Sequence, residues 1–283
     1  MSLLALMILI LSAFMHATWN LLSKKSKGGT VFVWFYLGIS IIFMTPFLFL
    51  MQDFTLNIFG WLIILASVLT HAIYSISLQY AYKIGDMGLI YPTARGTGPF
   101  IVMIFAVVFY NESITLFSGM GILLVILSIF ILNDGFANIK TKKSKTPLFF
   151  GVFIGLIIAI YTLIDKAAVS YILISPFVYF YFMMVGQFIF ISLFIINRSN
   201  QFLSELKNTW KYAIGVGVLN PLAYILVLFV MTFTQVSYVA PVREVSILIG
   251  TIMGIVFLSE KGGKARIIGS IIMVIGITLI TVN

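Results

Sequence analysis

Seven ionisable residues fall inside stretches that are otherwise almost wholly apolar: His16, His71, Arg95, Asp165, Lys166, Arg243 and Glu244. A charge in hydrocarbon is costly, so such residues face a cavity or one another and mark substrate or proton pathways. Arginine offers a planar fork of donors that suits a carboxylate, phosphate or phosphonate. One glutamate cannot neutralise both Arg95 and Arg243, which leaves a guanidinium for an anionic ligand. Glu244 suits an ammonium group or a transferable proton, so a zwitterion satisfies both signs. Histidine titrates near neutrality when unperturbed, which makes His16 and His71 proton-coupling candidates beside Glu244. The competing reading of each is a satisfied, buried histidine.

Arg95 is the expected principal anion contact. It stands in YPTARGTGPF (Tyr91–Phe100), where Pro92, Gly96, Gly98 and Pro99 are expected to loosen the helix. Irregular backbone at membrane depth is tolerated where protein or water satisfies it. The alternative is a static Arg95–Glu244 pair, with the glycines serving close packing. Trp19, Tyr74, Tyr80, Tyr91 and Tyr224 suit a cavity wall through stacking or cation–π contact. Trp19 and Tyr74 each lie about one helical turn from a histidine, and Asn220 falls near mid-span. The expected binding set is therefore Arg95, His16, His71, Trp19, Tyr74, Asn220, Tyr224, Arg243 and Glu244. Asp165 and Lys166 read as an interfacial anchor, and Glu112 and Glu260 as helix-end features.

Depth follows from about 1.5 Å of rise per residue across a core of roughly 30 Å. Counted from the outer face, His16, His71 and Arg95 share a layer at about 18–21 Å, with Arg243, Glu244 and Tyr224 at about 10 Å.

The elements that must position these residues are helices in a bilayer. Of 283 residues, 61% are hydrophobic and 9% charged, and mean hydropathy is +1.16. A soluble domain is about half apolar and a quarter charged. Ten apolar spans are expected, at 2–22, 31–51, 58–82, 87–109, 116–133, 148–167, 174–196, 210–233, 237–258 and 264–282. The first lacks a basic leader and a small-residue cleavage site, so it is expected to be a retained helix and not a signal peptide. The basic stretch at 134–147 is expected to be a cytoplasmic linker between five-helix repeats at 1–133 and 148–283.

The halves match in order. VLTHAIYSISL aligns with VLNPLAYILVL, pairing Tyr74 with Tyr224. An arginine precedes a glutamate by seventeen residues in each half, Arg95 to Glu112 and Arg243 to Glu260, and Gly121 and Gly269 each follow nine later. Five spans per repeat place the halves inverted in the bilayer, an arrangement typical of secondary transporters. The fold class is thus an all-α polytopic membrane protein, ten transmembrane helices in two inverted repeats.

Net charge is +9, yet the basic residues cluster in loops, so no nucleic-acid partner is expected. Lys24, Lys25, Lys27, Lys83, Lys140, Lys142, Lys143, Lys145, Arg198, Lys207, Lys211, Lys261, Lys264 and Arg266 all flank one side of the expected bilayer. The positive-inside rule then puts both termini outside. Without cysteine, and with two histidines, no metal site is expected, nor any cofactor. HExxH and GxSxG are missing, and aspartates do not cluster, so enzyme activity is not expected.

The repeat endings VVFYNESITLFSGMGILLVILSIFIL and IVFLSEKGGKARIIGSIIMVIGITL resemble the EamA family of the drug/metabolite transporter superfamily. The resemblance covers nearly the whole chain. It implies secondary transport of a small metabolite, often amino-acid export, at the cell membrane. HATWNLLSKKS is similar to a subgroup associated with phosphonate utilisation. Members are commonly drawn with cytoplasmic termini, opposite to the charge count here. The expected function is secondary active transport of a small polar, anionic or zwitterionic metabolite, amino acid or aminophosphonate-like, by alternating access. Protons are the candidate coupling ion, the lipid bilayer is the other partner, and the chain is a monomer or homodimer. A lipid or headgroup flippase is the rival within transport; an intramembrane enzyme or a non-transporting scaffold is the rival class.

Overall fold

The computed structural model describes residues 1–26, 28–50, 56–84, 87–132, 145–195, 199–258 and 264–281. Every regular element among them is an α-helix. The first half holds α1 (Leu3–Ser26), α2 (Thr30–Leu50), α3 (Ile58–Ile84), α4 (Met87–Tyr110) and α5 (Leu116–Leu132). The second holds α6 (Lys145–Ser170), α7 (Pro176–Ile195), α8 (Ser199–Phe233), α9 (Val236–Arg243), α10 (Val245–Leu258) and α11 (Lys264–Thr281).

Six of these contain stretches long and apolar enough to cross a membrane: Leu3–Ser23, Thr30–Phe49, Thr93–Tyr110, Leu148–Ser170, Pro176–Ile195 and Leu206–Phe233. Ile58–Tyr74, Leu116–Ile131 and Ile267–Ile280 are shorter apolar runs. The burial pattern is that of a membrane protein. Large apolar side chains such as Phe49 and Leu116 are 82% and 78% exposed, while Asp165 is 0% exposed. Apolar surface turned outward is stable only against lipid or another apolar surface.

The halves engage in exchanged pairs. α4 packs on α6, and its counterparts α9 and α10 pack on α1. α1 packs on α8 as α6 packs on α3, and α2 packs on α8 as α7 packs on α3. Counterparts also meet directly, α2 with α7 and α5 with α11. A duplicated helical unit folding against its own copy produces this pattern.

Small residues set the closest approaches. A Cβ on Gly121 of α5 would lie 2.5 Å from the Gly276 carbonyl oxygen of α11, and one on Gly276 would lie 2.7 Å from the Gly121 oxygen. Between α4 and α6, Gly151 and Gly155 accommodate Thr93 and Thr97, and a Cβ on Gly98 would meet Ile158 at 2.8 Å. Small residues of this kind let membrane helices approach without a hydrophobic driving force. Polar side chains add cross-links: Ser12 Oγ donates to Ala223 O and Ser40 Oγ to Gly217 O, each at 2.7 Å.

α4 stays helical from Met87 to Tyr110 through the residues expected to loosen it, Pro92 and Pro99 included. Gly98 gives α6 a close approach, a Cβ there meeting Ile158 at 2.8 Å. A break falls in the second half, at Glu244 between α9 and α10. There φ is −70° and ψ −5°, and the Glu244 N–H turns to the Pro241 carbonyl. Pro241 lacks the N–H that an uninterrupted helix would use, which weakens the segment leading into the break.

Candidate functional site

The break puts Glu244 against Arg95. Arg95 Nη1 donates to Glu244 Oε1 at 3.1 Å, and both side chains are buried. Arg95 Nη2 lies 3.5 Å from His16 Nε2 on α1. Trp19, on the next turn of α1, meets the His16 ring edge-on at 4.8 Å between centroids. The long arginine and glutamate side chains meet across the difference in depth that residue counting gives their backbones. His16 and Arg95 do meet, whereas His71 sits in an adjoining cluster.

Arg243, one residue before, has a different environment. Its Nη2 donates to the Tyr161 hydroxyl at 3.4 Å, and its guanidinium carbon lies 5.8 Å from the Tyr224 ring centroid. Arg243 is buried, and its Nε and Nη1 have no hydrogen-bond partner among the described residues. Glu244 Oε2 is likewise buried and unpartnered among them. Buried polar groups left unsatisfied cost roughly 1–3 kcal/mol each, more when charged. Arg95 is thus paired with Glu244, as the alternative reading has it, while Arg243 has two buried donors unpartnered among the described residues.

Asp165 is the largest departure. The expected interfacial anchor is instead a fully buried carboxylate. Tyr179 of α7 donates to Oδ1 at 2.6 Å, with Ser67 of α3 at 3.3 Å. Tyr224 of α8 donates to Oδ2, and His71 Nε2 of α3 stands 4.0 Å from that oxygen. His71 stacks on Tyr161 at 4.2 Å and meets Tyr224 edge-on at 6.1 Å. Tyr161 lies one turn from Asp165 on α6, so both face α3 and α8. Lys166 turns elsewhere, donating to the Met231 and Thr234 carbonyls at 2.7 and 2.9 Å at the end of α8.

Glu112 is a helix-end feature, as expected, but for a helix of the other half. Its Oε1 and Oε2 accept the backbone N–H groups of Val236 and Ser237 at 2.8 and 3.0 Å, capping α9.

Of the other expected lining residues, Tyr74 meets Tyr161 edge-on at 5.8 Å and so borders the cluster. Asn220 lies one turn before Tyr224 on α8 and is half-buried. Tyr80 is 52% exposed and packs against Phe150, away from the charges. Glu260 and the side chain of Tyr91 lie outside the described residues. Tyr161, Tyr179 and Ser67 were not foreseen; the signal available for Tyr161 and Ser67 was their spacing of one helical turn from Asp165 and His71, and for Tyr179, on another helix, there was none. A cleft of about 390 Å³ lies elsewhere, lined by Leu56, Asn57, Gly60, Ile172, Leu173 and Ile174.

A duplicated helical bundle with an apolar exterior and buried charge between its halves defines a membrane transporter architecture. The chain belongs to the EamA-like transporter family, whose model matches residues 3–134 and again 145–282. It is thereby a member of the drug/metabolite transporter superfamily. Among solved structures, one crystal structure is similar at a TM-score of 0.76 and 12% identity, covering 97% of each chain. At that identity the likeness is one of fold. No curated protein matches the chain.

Proposed function

We propose that the protein is a secondary active transporter of a small anionic or zwitterionic metabolite, amino acid or aminophosphonate-like, working by alternating access between ten spans in two inverted repeats. The carrying observation is Arg243: a buried guanidinium with Nε and Nη1 unpartnered among the described residues, flanked by Tyr161 and Tyr224. Such a fork recognises a carboxylate or phosphonate. Glu244 Oε2, on the next residue, is the acceptor for an ammonium group. His16, Trp19, Arg95, His71, Tyr74 and Asn220 complete the proposed binding region. Proton coupling belongs to this reading, with Glu244, His16 and His71 as the candidates drawn from sequence. The proposed location is the cell membrane, with both termini outside.

The test is flux into proteoliposomes of purified protein, with alanine and 2-aminoethylphosphonate as polar probes and a fluorescent phospholipid as the third. Saturable flux of a polar probe without phospholipid flipping is the expected result. Flipping without polar flux would assign the arginines to a lipid headgroup instead.

A further inference from the structure

Asp165 has no Lys or Arg partner within ion-pair distance among the described residues; the basic group nearest its carboxylate is His71. The 0% exposed carboxylate accepts hydroxyl donors from Tyr179, Tyr224 and Ser67, and the His71 imidazole stands beside it, so a carboxyl and an imidazole share one buried polar pocket. Lys166 does not supply the charge, since its ammonium donates to the Met231 and Thr234 carbonyls. One proton on either member balances the site, the two standing 4.0 Å apart at ion-pair and not hydrogen-bond distance. It resides on His71 Nε2 as an imidazolium beside a carboxylate, or on Asp165 Oδ2 beside a neutral imidazole. Either way the pair is neutral when loaded and carries one negative charge when empty.

We propose that Asp165 and His71 together form a proton-binding site, linked through Tyr161 and Tyr224 to the Arg243 guanidinium. Ligand and site are both specific: one proton arrives from water, forms an N–H or O–H bond within the pair, and returns to water. The groups facing the pair come from every neighbouring helix. α3 brings Ser67, α7 brings Tyr179, and α8 brings Tyr224. α6 itself brings Tyr161, stacked on His71, and Arg243 approaches from the end of α9. From α4, Tyr110 donates to the Leu163 carbonyl on α6, two residues before Asp165. The link to Arg243 is physical. Tyr224 donates to Asp165 and presents its ring to Arg243, while Tyr161 stacks on His71 and accepts from Arg243. A change of one charge at the pair alters both contacts of the arginine proposed to hold the substrate anion. Proton occupancy and anion affinity are then coupled, reciprocally, as linkage requires. The consequence for transport rests on the proposed function; the proton site does not.

The chain has two histidines, so histidine-selective ¹⁵N labelling of the full-length protein in nanodiscs gives two imidazole signals, with His71 assigned by its loss in His71→Gln. The expected result is a pH-dependent change in the His71 signal whose midpoint moves by about one pH unit or more in Asp165→Asn. Tyr179→Phe removes a donor to the same carboxylate and is expected to move it as well, which serves if Asp165→Asn does not fold. A His71 signal insensitive to pH throughout, showing neither its own protonation nor that of the carboxyl beside it, or one whose response neither substitution moves, overturns the proposal. Proteoliposome flux of alanine and 2-aminoethylphosphonate separates the two readings. Equal drive by a pH gradient in wild type and Asp165→Asn would refute coupling through this pair and leave transport standing. A titrating pair in a wild type that moves neither probe would refute the transport reading and leave the proton site standing.

Discussion

Removing one member of a buried ion pair strands the other. Arg95 is the cation within 3.1 Å of Glu244, a residue 1% exposed. Arg95→Met is expected to cost about 3–5 kcal/mol of stability, with most of it recovered in Arg95→Met/Glu244→Gln, because the loss comes from the uncompensated carboxylate. Thermal or denaturant unfolding of the purified variants, read as a double-mutant cycle, checks this; a single-variant loss that the double variant does not recover would refute it. Arg243 is expected to behave differently. Arg243→Ala should lower polar-probe flux about a hundredfold, and Arg243→Lys should rescue poorly, because a point ammonium does not reproduce a planar fork. Normal flux in folded Arg243→Ala would remove it from the binding region. The charges themselves were legible in the sequence because each is conspicuous in apolar surroundings. The Arg95–Glu244 pairing was among the alternatives, although its members lie 149 positions apart, whereas the partners of Asp165 and Arg243 were not foreseen. Asp165 was misread through its neighbour. Adjacent residues on a helix point about 100° apart, so Asp165 and Lys166 are not one anchor but two groups serving different helices.

At the scale of elements, the N-terminus of α9 depends on a carboxylate from the other half. Val236 and Ser237 direct their N–H groups at Glu112, itself 7% exposed. Glu112→Ala leaves two buried donors without their acceptor and is expected to cost about 2–4 kcal/mol; Glu112→Gln, which retains one carbonyl acceptor, should cost less. Faster amide hydrogen exchange confined to α9 is the accompanying signature, and unchanged exchange there would contradict the capping role. A second element-scale test lies where α5 meets α11. Gly121→Val places side-chain atoms against the Gly276 carbonyl oxygen, which a Cβ alone would approach to 2.5 Å. The expected loss is about 1–3 kcal/mol or more, measured by unfolding, because backbone and not a flexible side chain must give way. The existence of the helices was legible from apolar run length, and the duplication from matched spacings. The position of the broken helix was not. Proline and glycine near Arg95 looked like the break, yet Gly98 is used for packing on α6, and the interruption comes after Pro241. Small residues signal both uses, and only the neighbouring helix decides between them.

For the whole molecule, the question is which side of the membrane each face occupies. The fourteen basic residues that flank one set of expected loops, from Lys24 to Arg266, supply the argument. Lysine and arginine near the ends of apolar segments are retained on the cytoplasmic side during insertion, and they set orientation when short loops differ in their content. Lys25, Lys207 and Lys211 are exposed in the structure, placing them where such a bias acts. The family is commonly drawn the other way, so the expectation is sharp. The chain has no cysteine, so Ser2→Cys and Thr146→Cys each create a single labelling site without background substitutions. Ser2 precedes α1 and Thr146 lies in the first turn of α6, ahead of the apolar run Leu148–Ser170, and both are exposed. An impermeant thiol reagent applied to intact cells is expected to label Ser2→Cys and to leave Thr146→Cys unlabelled until the membrane is opened. The reverse pattern would overturn the orientation and the charge argument behind it. Labelling of both would mean that the two halves do not lie inverted, and the alternating-access reading would fall with it.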